Sequence, residues 1–302
     1  MTANTVINQI IILFLMISVG YYAKKRAWIN EDSKKKLSEI LLNITNPLLI
    51  ISSFQFEFSR DVLHNVIIML VFSVLAHFFQ ILIGKLLFFK SKGSIRQIGE
   101  LSATYANCAF MGFPVLESLY GKIGILYGSI YATVFNVFLW THGIVVFNGK
   151  GGVKSIRKVL LNPGVISMFI GLIVFILPIK LPYPVSQAID LLGGMTVPLS
   201  MLIIGATLAD VDFRKLFSGK PLYVISGVRL VLIPLLTIPV LKLLGFSDVL
   251  LGVCVMLVAM PVATTVSIFA EMFGGDTELA SRVVVFSTLM SAFTIPLMFA
   301  LM

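Results

Sequence analysis

Apolar residues in this chain fall into long unbroken stretches separated by short polar breaks. Residues 1–23 carry no charge, and 5–22 is the first such run. A helix of ~20 residues crosses a ~30 Å hydrocarbon core, so this run has close to the length of one crossing. Nine similar runs follow, at 37–56, 62–89, 98–120, 123–147, 159–177, 185–208, 221–244, 249–273 and 279–302. They are continuous rather than alternating, which predicts helices and not barrel strands. The expected fold is an all-α polytopic membrane protein of ten transmembrane helices. The first run has no basic residue ahead of it and nine runs like it behind, so it reads as a permanent span and not a cleaved signal.

Composition agrees. Charged residues make up 12% of the chain, half the roughly 25% that a soluble surface carries. The net charge of +9 gains meaning only from where the charges lie, because Lys and Arg collect in cytoplasmic loops. Of 23 basic residues, 17 sit in or at the edge of the odd-numbered loops: 24–36, 90–96, 150–158, 214–220 and Arg282. The even-numbered loops hold only Arg60, Lys122, Lys180 and Lys242, with Lys85 and Arg229 inside spans. This asymmetry places the odd loops in the cytoplasm and both termini outside a cell membrane. The expected surroundings are therefore lipid, with no nucleic acid partner. Cys108 and Cys254 lie within apolar runs and read as small buried hydrophobes.

The two halves echo each other. Pro47 of the second run has a counterpart in Pro198 of the seventh, 151 residues on, and Pro114 of the fourth in Pro261 of the ninth, 147 residues on. These offsets suggest two repeats, 1–150 and 151–302. Five crossings per repeat is odd, so the second copy must be inverted, the plan of many secondary transporters. Proline is also simply commoner in membrane helices. Proline lacks an amide proton, and the backbone it interrupts needs protein or a wet cavity to satisfy it. Half-helices starting at such breaks would aim amides and positive dipole ends inward, which suits a carboxylate. Polar residues cluster there: Asn43, Thr45, Asn46, Thr104, Asn107, Thr196, Ser200, Thr264, Thr265 and Ser267. Such residues are most often glue between helices. Their grouping around the prolines makes Asn46, Asn107, Pro114, Pro261, Thr264 and Thr265 the candidate substrate site.

Glu117 and Arg229 are ionisable residues deep in apolar runs and are candidates for coupling or for handling substrate charge. Lys85 and Glu100 lie near predicted span ends, where long side chains reach water. His142, close to Trp140, suggests an interfacial pair. None of His64, His77 and His142 continues as H-E-x-x-H, Gly149-Lys150 lacks the rest of a phosphate-binding loop, and Gly274-Gly275-Asp276 does not fit a G-x-G-D protease. No enzyme, metal or cofactor is expected.

Several segments carry a resemblance. Met260-Pro261-Val262-Ala263, then Ala270-Glu271-Met272-Phe273-Gly274-Gly275-Asp276 and on through Leu279, Ala280 and Arg282, resembles the C-terminal signature of the auxin efflux carrier family. Asn107…Gly112-Phe113-Pro114 and Asn46-Pro47-Leu48-Leu49 are similar to its fourth- and second-span motifs. The resemblance covers nearly the whole chain. It implies two inverted five-helix repeats, with two crossed helices broken at Pro114 and Pro261, and a carboxylate contact from Asn107. Related folds occur in bile-acid-type sodium symporters and sodium/proton antiporters. The long cytoplasmic loop of plant members is reduced here to the short basic connection 148–158. The expected function is a secondary transporter for small organic anions. A sodium-coupled symporter is the alternative, a membrane sensor a remoter one, and a homodimer is an arrangement the sequence leaves open.

Overall fold

The computed structural model describes residues 3–55, 59–148, 157, 159–177, 179, 181–211, 216–246 and 248–302. Phe56, Lys150, Lys154, Lys158, Lys180, Arg214 and Lys215, and with them the expected repeat boundary at 150/151, lie outside the described residues.

Among the described residues the fold is all-helical, with one isolated β-bridge. Helix α1 is Ala3–Lys25. Helix α2, Glu31–Ile40, continues through a π turn, Leu41–Thr45, into α3, Asn46–Ser53. Helix α4 is Arg60–Phe88 and α5 is Gly93–Thr104. A π turn, Cys108–Gly112, leads into α6, Phe113–Phe138, and a second, Leu139–Gly143, into α7, Ile144–Asn148. Next come α8, Pro163–Ile176, α9, Tyr183–Gly194, and α10, Thr196–Asp210. Helix α11, Lys220–Gly227, joins α12, Ile233–Leu243, through the π turn Val228–Leu232. The chain ends with α13, Asp248–Ala259, α14, Thr265–Met272, and α15, Thr277–Ala300.

Among the described residues six helical stretches are long and apolar enough to cross a membrane, and α8 and Val249–Ala259 within α13 are shorter apolar helices. One of the six, Cys108–Phe147, is two limbs. Gly121 takes φ 61° and ψ −149° inside α6, a conformation that side chains with a Cβ avoid. Beyond it the chain doubles back. A Cβ placed on Gly128 would lie 2.7 Å from Leu116, whereas a straight helix would hold those positions ~18 Å apart.

Helix α4 shows which solvent the fold expects. Its exposed positions include Ile67, Leu70, Val71, Leu75, Phe78 and Leu82, while Ser73, His77 and Gln80 are buried. Apolar outside and polar inside reverses a soluble helix and matches lipid on the outer face.

Helices α1 and α10 pack side by side in parallel. Lys25 Nζ donates to the Ala209 carbonyl at 3.1 Å and Lys24 pairs with Asp210 at 3.0 Å, both at C-terminal ends. The backbones touch because Gly20 faces Leu202 and Gly205 faces Ile17: a Cβ on Gly205 would sit 2.0 Å from the Ile17 carbonyl oxygen. Contacts between loops then sort into two faces. One gathers Lys24, Glu31, Lys34 and Asp210, the Arg282 hydrogen bonds to Ser218, and Phe147 against Gly275. The other gathers Lys122–Asp190 at 2.9 Å, Ser186 Oγ to Gln55 at 2.7 Å, and Lys242 Nζ to the Leu301 carbonyl at 3.1 Å. The first group holds residues in or beside odd loops, and the second residues in even loops or in the run ends next to them.

Gly205→Leu should therefore break the α1–α10 contact and cost about 1–3 kcal/mol or more, seen as a fall in melting temperature in detergent. Gly227→Ala, where a Cβ meets nothing within 4 Å, is the control and should change little. The cluster also predicts a pH dependence. Hydrogen bonds from Lys24 and then Lys34 lower the Glu31 carboxyl to about 2. A lowered folded value stabilises above the ordinary carboxylate range, and that stability is lost as pH falls toward 2. Glu31→Gln should lower thermal stability slightly at neutral pH and make no difference below the folded value, since its largely exposed carboxylate is screened.

Candidate functional site

Two helices stop in the middle of the fold. Helix α5 ends at Thr104 because Tyr105 turns extended, at φ −104° and ψ 104°; α13 ends at Ala259. The unwound segments meet antiparallel. Asn107 N–H donates to the Pro261 carbonyl at 2.8 Å, Ala263 N–H to the Tyr105 carbonyl at 2.9 Å, and Ala106 pairs with Val262. The remaining Val262 N–H donates to Ser287 Oγ at 3.1 Å. Each broken helix borrows its backbone partners from the other, which is how irregular chain survives at membrane depth.

Pro261 lies in this unwound chain, as expected. Pro114 does not. It occupies the first turn of α6, beyond the π turn that follows the Tyr105–Asn107 break. The π turn ahead of it is already helical, so its missing amide proton loosens the ladder of a helix that began at Cys108. The break in this helix is fixed by the bridge to 261–263 and not by its proline.

The crossing has two C-terminal and two N-terminal helix ends. Arg229, fully buried, covers the C-terminal ends. Nη1 donates to the Ala103 carbonyl of α5 at 2.9 Å, Nε to the Met260 carbonyl at 3.1 Å, and Nη2 to the Val258 carbonyl of α13. Gln80 Oε1 lies 3.5 Å from Nη1, while Gln80 Nε2 donates to Tyr131 Oη at 3.2 Å. The N-terminal ends begin at Cys108 and Thr265. Asn107 Oδ1 accepts from Phe110 N–H at 3.2 Å, which leaves its Nδ2 facing away from the helix.

These N-terminal ends open on a cavity of about 230 Å³. It is lined by Asn43, Asn46, Ala106, Asn107, Phe110, Phe113, Thr133, Asn136, Asn162, Ala263, Thr264 and Thr265, among others, and among the described residues by no charged side chain. Buried Asn46 Oδ1, Asn107 Nδ2 and Thr265 Oγ1 find no hydrogen-bond partner among the described residues. Buried polar groups are nearly always paired, so three such atoms around one hollow make it the candidate binding site. Of the expected site residues, Asn46, Asn107, Thr264 and Thr265 come together here. Pro114 and Pro261 shape the backbone without lining the cavity. Glu117, half-buried in α6 shortly before Gly121, and Arg229 lie outside its lining.

Thr133, Asn136 and Asn162 escape a reading centred on prolines. Asn162 Oδ1 caps α8 through Gly164 N–H at 2.9 Å, and its Nδ2 donates to Asn136 at 3.2 Å. The pair Asn162-Pro163 carries a start-of-helix signal that could have flagged it. Of the other ionisable residues, Glu100 is buried and pairs with Arg96 at 2.8 Å. His142 Nδ1 lies 3.1 Å from Tyr105 Oη rather than merely flanking Trp140.

Residues 5–299 match the family described as membrane transport protein. The chain belongs to the membrane transport protein family. It is the auxin efflux carrier family that the motifs resemble, and its members are transporters, not enzymes. The chain is 24% identical over 299 residues to an uncharacterized transporter of Methanothermobacter thermautotrophicus, covering 96% of each. It is 22% identical over 309 residues to the uncharacterized transporter YfdV of Escherichia coli, again covering 96% of each. A Rhizobium meliloti protein named "Putative malonate transporter" is 24% identical over 204 residues, 64% of this chain and 63% of that one. In a membrane transport protein family member, the cavity at the crossing is the natural candidate for the substrate site.

Ser287→Ala should strand the buried Val262 N–H and cost about 1–3 kcal/mol of stability, read by thermal unfolding in detergent. Thr141→Ala, which removes an exposed hydroxyl bonded within its own helix, should have little effect.

Proposed function

We propose that this transporter carries a small organic anion, a short mono- or dicarboxylate, by alternating access around the cavity at the crossing. The observation that carries the reading is the pairing of two helix N-terminal ends with unpaired polar atoms of Asn46, Asn107 and Thr265 in one small, uncharged hollow. Helix N-termini stabilise anions through free amides and the dipole. An uncharged cradle also releases its cargo more readily than a buried cationic pair would. About 230 Å³ suits an acid of a few carbons, and the relative named for malonate is consistent with that class.

The site lies between two packed groups of helices. Asn46 belongs to α3, which packs on α8 and α9, while Asn107, Thr264 and Thr265 flank α6 and α14 around α5 and α13. A shift of one group against the other would expose the cavity to alternate sides. The arrangement we infer is ten crossings in a cell membrane, as two inverted five-helix repeats with both termini outside. The parallel α1 and α10, the antiparallel bridge between the two breaks and the sorting of odd and even loops onto opposite faces support it.

Purified protein should be stabilised against heat by short carboxylates and not by the matching amides. Asn107→Ala should weaken that binding by about 1.5–3 kcal/mol, one charge-assisted hydrogen bond, without altering the helical content. Equal response to acid and amide would remove the anion reading.

A further inference from the structure

A fully buried arginine normally needs an acid, because an isolated charge in a low-dielectric interior is costly. Arg229 has none: among the described residues no carboxylate pairs with it. Its partners are four oxygens, the carbonyls of Ala103, Val258 and Met260 and the side chain of Gln80. Three of the four lie at the C-terminal ends of α5 and α13. Each such end carries about half a negative charge and carbonyls without intrahelical partners. Two ends amount to roughly one unit, so one guanidinium balances them without a carboxylate.

In carriers built on broken helices, unwound carbonyls and half-helix C-terminal ends are the groups that hold a coupling sodium ion or proton. We propose that the Arg229 guanidinium is the resident cation of this crossing, occupying by covalent attachment the place where a coupling cation would bind. A sodium ion there would need the same carbonyl oxygens and would meet a fixed positive charge. The guanidinium stays protonated at any physiological pH, so it takes no part in a proton cycle. The fork of Nε, Nη1 and Nη2 reaches both helices at once, a geometry that a lysine ammonium cannot reproduce. The two N-terminal ends remain free for the anion, and transport runs on the anion's own gradient and the membrane potential. Gln80 is the neutral partner: held by Tyr131, it turns its oxygen toward the cation. This also separates the site from that of a sodium-coupled symporter of related fold.

The consequence for transport rests on the anion-carrier reading above; the stability measurement does not. Thermal unfolding of the detergent-purified protein should be the same in sodium chloride as in N-methyl-D-glucamine chloride of equal ionic strength. Arg229→Gln removes the charge and leaves the carbonyls and Gln80 around a vacant space. It should be less stable and regain stability in sodium but not in N-methyl-D-glucamine. Arg229→Lys keeps the charge and should stay indifferent to sodium, though less stable than the wild type. Sodium-dependent stability of the wild type would overturn the proposal, as would a folded Arg229→Gln protein that ignores sodium. Should Arg229→Gln not fold in either salt, the wild-type and Arg229→Lys comparisons decide. In proteoliposomes, a carboxylate carried at equal rates with and without a sodium gradient supports it, and acceleration by sodium overturns it. Failure of every carboxylate to be carried would instead count against the anion-carrier reading, with the stability result still standing.

Discussion

Backbone polar groups released inside a membrane protein must find partners in protein, because hydrocarbon offers none. Everything at the centre of this molecule answers that constraint. Breaking α5 and α13 frees amides and carbonyls on both. The segments 105–107 and 261–263 satisfy part of them by pairing with each other, Ser287 takes one more, and Arg229 takes the carbonyls at both C-terminal ends. Side-chain atoms of Asn107 and Thr265 that find no partner among the described residues border the cavity. The candidate site is what remains unsatisfied once the rest of the crossing has closed.

This arrangement separates charge along the crossing. The C-terminal ends, with their negative partial charge, meet a fixed guanidinium, and the N-terminal ends, with their positive partial charge, meet a hollow lined with amides and hydroxyls. On the proposed anion-carrier reading, selectivity then needs no charged residue in the cavity wall. The close contact of α1 with α10 through Gly20 and Gly205 ties together helices from the two halves of the chain. Asn46, at the start of α3, stands in one wall of a cavity whose other wall is the crossing itself.

Much of this was legible in the chain. Continuous apolar runs reported the helices, since hydrocarbon tolerates nothing else along that length. The bias of Lys and Arg predicts a sidedness for the loops, and the contacts of Lys24, Lys34 and Asp210 are consistent with it. Asn46, Asn107, Thr264 and Thr265 stood out as polar residues in apolar surroundings, and the structure brings all four to one cavity. Asn136 and Asn162 were harder to see because neither adjoins a proline of the echoed pairs. Arg229 stood out for its depth, but its role as a cap on two distant helices had no local signature.

The sequence by itself determined which segments are helical, because hydrophobicity and its interruption are local properties of the chain. Tertiary structure alone decided where the fourth run breaks. Pro114 lies beyond the break, on a helix that has already begun at Cys108, and the unwinding at Tyr105–Asn107 is held by residues 261–263, far along the chain, which supply its hydrogen bonds. Likewise only the fold shows that carbonyls from two helices converge on one buried cation. Pairing between remote backbones depends on proximity in space, and proximity is not written in any local stretch of residues.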